Sequence, residues 1–151
     1  MIIHLGDITI DNLKEIIDLD PNLNHATPTI YSLAQYALFD HSKSFINSIL
    51  LDDIIIGFAM VLLNKNDKLY LHRFMIDKKY QGRGYGFIAL NLIVEKALQH
   101  FNTNTIYVST GNPIAEHIYI KYGFVLTGKT VFYDTIIGTV SGKELIYTHT
   151  I

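Results

Sequence analysis

Short apolar runs alternate with polar breaks along this chain, and the period of each run sets the element it forms. Ile2 to Leu5 reads as a short strand. Asp11 opens an amphipathic segment in which Leu13, Ile16 and Ile17 recur at helical spacing until Pro21 stops it. Ile30, Leu33, Ala34, Ala37 and Leu38 predict a second helix over about Thr29 to Phe39. Ser44 to Leu51 and Ile54 to Leu63 are rich in Ile, Leu and Phe, and the polar Asp52-Asp53 break between them predicts a β-hairpin. A turn over 64–68 leads to a third strand, Leu69 to Ile76, which completes an antiparallel meander.

After Gly86 the period changes to that of a helix. Ala89, Leu92, Ile93 and Ala97 share one face, Leu90, Val94 and Leu98 flank it, and Asn91, Glu95 and Gln99 form the wet side. Thr105 to Ser109 is a β-rich run, so strand, helix and strand follow in the order of a right-handed crossover between parallel neighbours. Asn112 as N-cap, Pro113 at the first helical position and Gly123 at the C-cap bound a short helix. Phe124 to Tyr133 and Lys143 to Ile151 read as two last strands, joined by a loop that contains Gly138 and Gly142. This order predicts an α+β fold: a mixed, mostly antiparallel central sheet flanked by helices on both faces, in one domain over 1–151.

Composition narrows the chemistry. A chain of 151 residues, 49% of them hydrophobic, buries roughly 70% of its unfolded surface and needs no covalent staple. The absence of cysteine excludes a disulfide framework, thiolate-bound zinc, iron–sulfur clusters and a cysteine nucleophile, and it suits a cytoplasmic setting. The longest apolar run, Ile54 to Leu63, falls short of the roughly 18 residues a membrane-spanning helix needs, and Met1 to Asp7 lacks the basic start of a signal peptide. Neither membrane insertion nor export is expected. A net charge of −2 argues against nucleic-acid binding but conceals an asymmetry. Residues 1–60 hold eight acids and two bases, whereas 61–151 hold six acids and ten bases.

The stretch Gln81-Gly82-Arg83-Gly84-Tyr85-Gly86 joins a strand to a long helix. Three glycines let backbone N–H groups converge, and the helix N-terminus favours an anion, so a phosphate or pyrophosphate is the expected guest, with Arg83 as a direct partner. A Gly-rich turn serving geometry alone would look the same. Phe87-Ile88 after the last glycine excludes a Walker A loop. A dinucleotide fingerprint fits formally from Gly84 to Ala89, but it lacks an acid about 20 residues on and follows a meander rather than a βαβ unit.

Gln81-x-x-Gly84-x-Gly86 after the strand Leu71 to Ile76 resembles the acetyl-CoA signature of the GNAT superfamily of N-acetyltransferases. Asn112-x-x-Ala115-x-x-x-Tyr119-x-x-x-Gly123-Phe124 resembles its other cofactor-side motif, and the order and spacing of the two agree with that family. The stretch Leu71 to Gly86 is also similar to a bacterial branch described as spermine/spermidine or diamine acetyltransferases. The resemblance implies acetyl-CoA as co-substrate, held along Phe74, Met75 and Ile76 by backbone pairing in the manner of an added strand, with its pyrophosphate on Gln81 to Gly86 and its arm touching Asn112. It implies Tyr119 as the general acid for the departing thiolate, although a packed tyrosine on a helix face is the plainer reading of that residue.

His72 stands where some polyamine acetyltransferases look to have a Glu, and imidazole titrates in the right range for a base. A packed or hydrogen-bonded histidine is the alternative. Arg73 reads as a sheet-face ion-pair partner or an acceptor contact, and Glu116 and His117 as the solvent side of their helix. His4, His25, His41, His100 and His149 show no pairing with carboxylates at ligand spacing, so no metal is expected.

The acceptor implied is a small-molecule amine, with a polyamine or diamine first, and the acid-rich N-terminal half would suit a cation. The same fold also serves protein amines, amino acids and aminoglycosides, and a non-catalytic acyl-CoA-binding module would share it. A homodimer through the last strands is a further expectation from the resemblance. Without a thiol to carry the acetyl group, direct transfer in a ternary complex is the expected route.

Overall fold

The computed structural model of the chain describes residues 1–21, 29–135 and 138–150, and the side chains of all of these but 133–135. The strands are β1 (Ile3–Gly6), β2 (Ser44–Leu51), β3 (Ile54–Leu63), β4 (Leu69–Ile76), β5 (Thr105–Thr110), β6 (Val125–Thr135) and β7 (Gly138–Thr148). The helices are α1 (Leu13–Ile17), α2 (Thr29–Leu38), α3 (Tyr85–His100) and α4 (Pro113–Tyr122), with a single 3-10 turn over Lys78–Tyr80. The strands form one seven-stranded sheet in the order β1-β2-β3-β4-β5-β7-β6, antiparallel except between β4 and β5. No helix among the described residues is long and apolar enough to cross a membrane.

The meander and crossover stand where the apolar periods put them, and two elements differ. The segment from Asp11 to Pro21 yields only the five-residue α1. Asn12 spends its side chain on the incoming turn, with Oδ1 accepting from Thr9 N–H at 2.8 Å and Nδ2 donating to the Asp7 carbonyl at 2.9 Å, so it does not cap the helix. The loop expected between the last two strands is largely strand instead: β7 begins at Gly138, and Lys143 is its sixth residue. Gly142 marks a close approach rather than a turn, because a Cβ there would stand 3.1 to 3.2 Å from the backbone of Thr110 on β5.

Two apolar clusters lie on opposite faces of the sheet. Ala89, Leu90, Ile93, Val94 and Ala97 of α3 pack with Ile49, Val61, Leu71, Ile106 and Leu145, and Tyr119 of α4 joins them. On the other face Ile16 of α1 and Leu33 of α2 meet Phe58 and Met75. A bulge in β4 shapes the space between. Met60 pairs with Arg73 and Val61 with Leu71, which leaves His72 as an extra residue. Leu71 and Phe74, three residues apart, both pack on the α3 side. Strict alternation forbids that, so the bulge turns His72 and Arg73 together toward the α2 side. There His72 meets Gln35 and Phe39, and the Arg73 guanidinium lies 5.8 Å from the Phe58 ring.

Beside this bulge the sheet comes apart. β4 and β5 share a single register pair, Tyr70 with Tyr107, and separate toward their C-terminal ends.

Candidate active site

The splay between β4 and β5 opens a cleft of about 1010 Å³. His72, Phe74, Met75, Asn112 and Tyr119, all singled out from the sequence, line it together. Tyr31, Gln35, Tyr70 and Arg73 share the lining with Val131 of β6 and Val140 of β7.

Alternation along β4 decides which backbone groups face the opening. Asp77 N–H donates to Ile56 O at 2.7 Å, and a Cβ on Gly57 would stand 2.2 Å from Met75 O, so the backbones of Met75 and Asp77 face β3. Those of Phe74 and Ile76 therefore face the splay, beyond the last pairing with β5. Met75 therefore turns no backbone group to the splay, contrary to the expectation, although it is among the residues that line the cleft. Gln81 is committed as a strut: its Nε2 donates to Ile76 O at 2.8 Å and to Pro21 O at 3.1 Å.

The glycine loop lies outside the cleft, past the end of β4. Gly82 and Gly84 have φ of +77° and +84°, yet a Cβ at either would meet nothing within 4 Å. Glycine is needed there for its dihedral, and the space in front stays open. Gly84 caps α3, a helix of 16 residues whose first-turn N–H groups have no intrahelical partner and carry the positive end of its dipole. Arg83 is exposed beside the loop, 5.9 Å from the Tyr80 ring. These features fit an extended ligand with a pyrophosphate at the loop and an amide-bearing arm along Phe74 and Ile76.

Tyr119 is 5% exposed, with its ring 5.6 Å from that of Phe124. Burial raises its phenol well above the ordinary tyrosine range, and the nearby Arg73 charge partly opposes that rise. The hydroxyl is thus a protonated donor at any physiological pH. Asn112 is the N-cap of α4, with Oδ1 accepting from Ile114 N–H at 3.0 Å, and it also lines the cleft.

His72 is open to the cleft, with Nε2 3.2 Å from Gln35 Oε1 and its ring edge-on to Phe39 at 5.6 Å. Desolvation by the surrounding walls lowers its pKa to about 4, and the Arg73 charge adds to this. His72 is therefore neutral at pH 7. With the Nε2 proton donated to Gln35, Nδ1 is left as the acceptor.

The acids of the N-terminal half do not form the cleft wall. Glu15 and Asp18 lie with Asp77 around a separate hollow of about 270 Å³ beside α1. Among the described residues, Arg73 is the only Asp, Glu, Lys or Arg that lines the cleft. A carboxylate stands one residue behind the wall: Glu144 of β7, 4% exposed, accepts from the Tyr70 hydroxyl and from Thr127 Oγ1, the latter at 3.0 Å. Tyr70 and Glu144 are 74 positions apart in the sequence, and no local pattern pairs them. Among the described residues no three His, Asp or Glu side chains gather at metal-binding range, and His25 lies outside those residues.

Known proteins resemble this chain in sequence and in fold. Two Bacillus subtilis relatives align over 144 residues, covering 87% of this chain and 93% of their own length. One is described as a spermine/spermidine N(1)-acetyltransferase and is 28% identical; the other, from the natto subspecies, is described as a probable spermine N(1)-acetyltransferase and is 29% identical. The ribosomal-protein-S18-alanine N-acetyltransferase of Escherichia coli superposes with a TM-score of 0.74 at 16% identity, covering 99% of this chain and 96% of that one, a likeness of fold alone. The family model described as Acetyltransferase (GNAT) family matches residues 10–124, so the chain belongs to that family of N-acetyltransferases, which use acetyl-CoA.

Proposed function

We propose that this enzyme acetylates a primary amine of a small polyamine or diamine by direct attack within a ternary complex. One observation carries the reading: a buried phenol, Tyr119, faces the same cleft as a bulged pair, His72 and Arg73, beside the β4 backbone left open by the splay. The names of the two Bacillus relatives point to the polyamine class.

Bound acetyl-CoA supplies the thioester carbonyl and leaves as the thiol. The chain's own residues do the rest. Arg73 and the desolvating walls disfavour an ammonium at the reacting position, so the acceptor enters as the neutral nucleophile and its extra proton departs to water. The Ile76 N–H, turned to the splay, is the donor placed to meet negative charge that develops on the carbonyl oxygen. Tyr119 gives its proton to the departing sulfur and regains one from solvent once the products leave; a thiolate emerging in the same desolvated cleft is raised in basicity as the phenol is, which keeps the transfer feasible. His72 Nδ1 takes the proton that the amine nitrogen loses as the new C–N bond forms, and passes it out through the cleft.

Thiol release measured with acetyl-CoA and a panel of amines tests the reading. Saturable turnover with spermidine, spermine or a diamine is expected. No turnover with any amine in the panel would overturn it.

A further inference from the structure

Glu144 is a carboxylate almost wholly withdrawn from water, and no cation stands within ion-pair range of it among the described residues. Among the described residues its two oxygens are met by hydroxyls only: Tyr70 donates to Oε2 and Thr127 Oγ1 donates to Oε1. A buried charge held by neutral donors is costly and leaves a field unneutralised in the surrounding wall. That wall is Tyr70, which separates Glu144 from the cleft. The Tyr70 phenol is raised above its ordinary range by burial and by its bond to Glu144, so it stays protonated and donates inward. Its oxygen keeps lone pairs that a donor in the cleft can use.

The surroundings suit a cation. Tyr107 stacks on Tyr70 with ring centroids 5.4 Å apart, and the Lys68 ammonium lies 4.7 Å from the Tyr107 ring centroid. Lys68 is thus held on Tyr107, and among the described residues no Lys or Arg lies over the Tyr70 ring itself. Tyr70 also stands three residues before Arg73 on β4, and because the bulge at His72 sets them opposite Leu62 and Met60 of β3, they lie about 7 Å apart along the strand. The cleft is therefore graded in charge. Arg73 marks the end where an amine must be neutral to react, and the Tyr70–Glu144 pair marks the end where a second amine can remain protonated.

We infer that Tyr70, backed by Glu144, is the seat of a second ammonium group of the acceptor and sets a preference for diamines over monoamines. The inference rests on the proposed amine acetylation and adds the residues that choose among amines. Tyr70 Oη accepts a hydrogen bond from the distal ammonium while it keeps its own proton and donates it to Glu144, whose charge balances the cation. Glu144 acts as a positioning residue through Tyr70, and no bond is made or broken there.

The test compares 1,4-diaminobutane with butylamine as acceptors, of equal chain length and differing only in the second amine. The wild-type enzyme should show a KM for the diamine at least tenfold lower at similar kcat, a gap that narrows as ionic strength rises. Equal KM values for the two amines would overturn the inference, and turnover of neither would instead overturn the underlying function. In Glu144→Gln, which keeps hydrogen-bonding capacity and loses the charge, the diamine KM should rise about tenfold with the butylamine KM unchanged. An equal loss on both amines would show a merely structural role. Should Glu144→Gln fail to fold, Tyr70→Phe and the wild-type comparison carry the test, with the same loss of diamine preference expected in Tyr70→Phe.

Discussion

Gly57 offers a perturbation whose size follows from the geometry. Glycine sits there because β3 passes β4 with no room for a side chain: a Cβ would lie 2.2 Å from Met75 O, 3.1 Å from Ile76 Cδ1 and 3.2 Å from the Met75 carbonyl carbon. The first contact is to backbone, so no side chain can swing away to relieve it. In Gly57→Ala the two strands must move apart by about 1 Å from their usual spacing of roughly 4.8 Å, which breaks or stretches ladder bonds next to the splay. Overpacking of this kind costs about 1–3 kcal/mol, and the rigid contact puts this case near the top of that range. At about 2–4 °C per kcal/mol for a chain of this size, a fall in Tm of roughly 6–12 °C is expected. The displaced residues are Met75 and Ile76, so affinity for CoA should fall alongside. Differential scanning calorimetry and a CoA titration read both effects. A Tm within about 2 °C of wild type, with CoA affinity unchanged, would refute the claim that Gly57 holds β4 in place for its ligand.

Three further expectations concern the loop, pH and stability. Gly84→Ala puts a Cβ on a residue at φ +84° with open space around it, so the penalty is about 1–2 kcal/mol of backbone strain; CoA should bind roughly tenfold more weakly, as isothermal titration would show. With His72 lowered to about 4, its titration should not appear between pH 6 and 9, and kcat/KM for the amine should rise across that range with deprotonation of the acceptor. An inflection near pH 6.5 that disappears in His72→Gln would contradict this. The same lowered pKa means the unfolded chain, with histidine near 6.5, binds a proton that the folded chain refuses, so His72 should cost stability progressively as pH falls from about 6.5 toward 4. Equilibrium unfolding at stepped pH would register that loss, and it should be reduced in His72→Gln.

Much of this architecture is legible in the order of residues because local chemistry writes it there. The apolar periods locate β2, β3, β4 and α3, and Asn112, Pro113 and Gly123 bound α4 by capping rules that operate within a few positions. Gly82 and Gly84 are readable for the same reason, since their need is a dihedral of their own backbone. What escapes a linear reading depends on distant strands. The bulge at His72 is a property of the β3–β4 register, and it overturns the alternation that would set His72 and Arg73 on opposite faces. Gly142 looks like a turn residue until Thr110 is found against it. The acid-rich first half suggests a cation site by composition, yet the carboxylate bonded to a residue of the cleft wall, Tyr70, is Glu144, a solitary acid on β7 brought there by the sheet.

If Tyr119 is the acid in an acetyl transfer to an amine, Tyr119→Phe should abolish most turnover while sparing the fold and the cofactor site. The ring and its contact with Phe124 survive this change, so Tm should stay within about 3 °C and the Kd for acetyl-CoA within about twofold. The loss of a general acid lowers turnover by about 10²–10⁴-fold. Single-turnover thiol release with spermidine, measured on wild type and Tyr119→Phe at matched saturation, reads that step alone. A fall of at least about 100-fold is the predicted result, and a variant within about threefold of wild type would contradict the account.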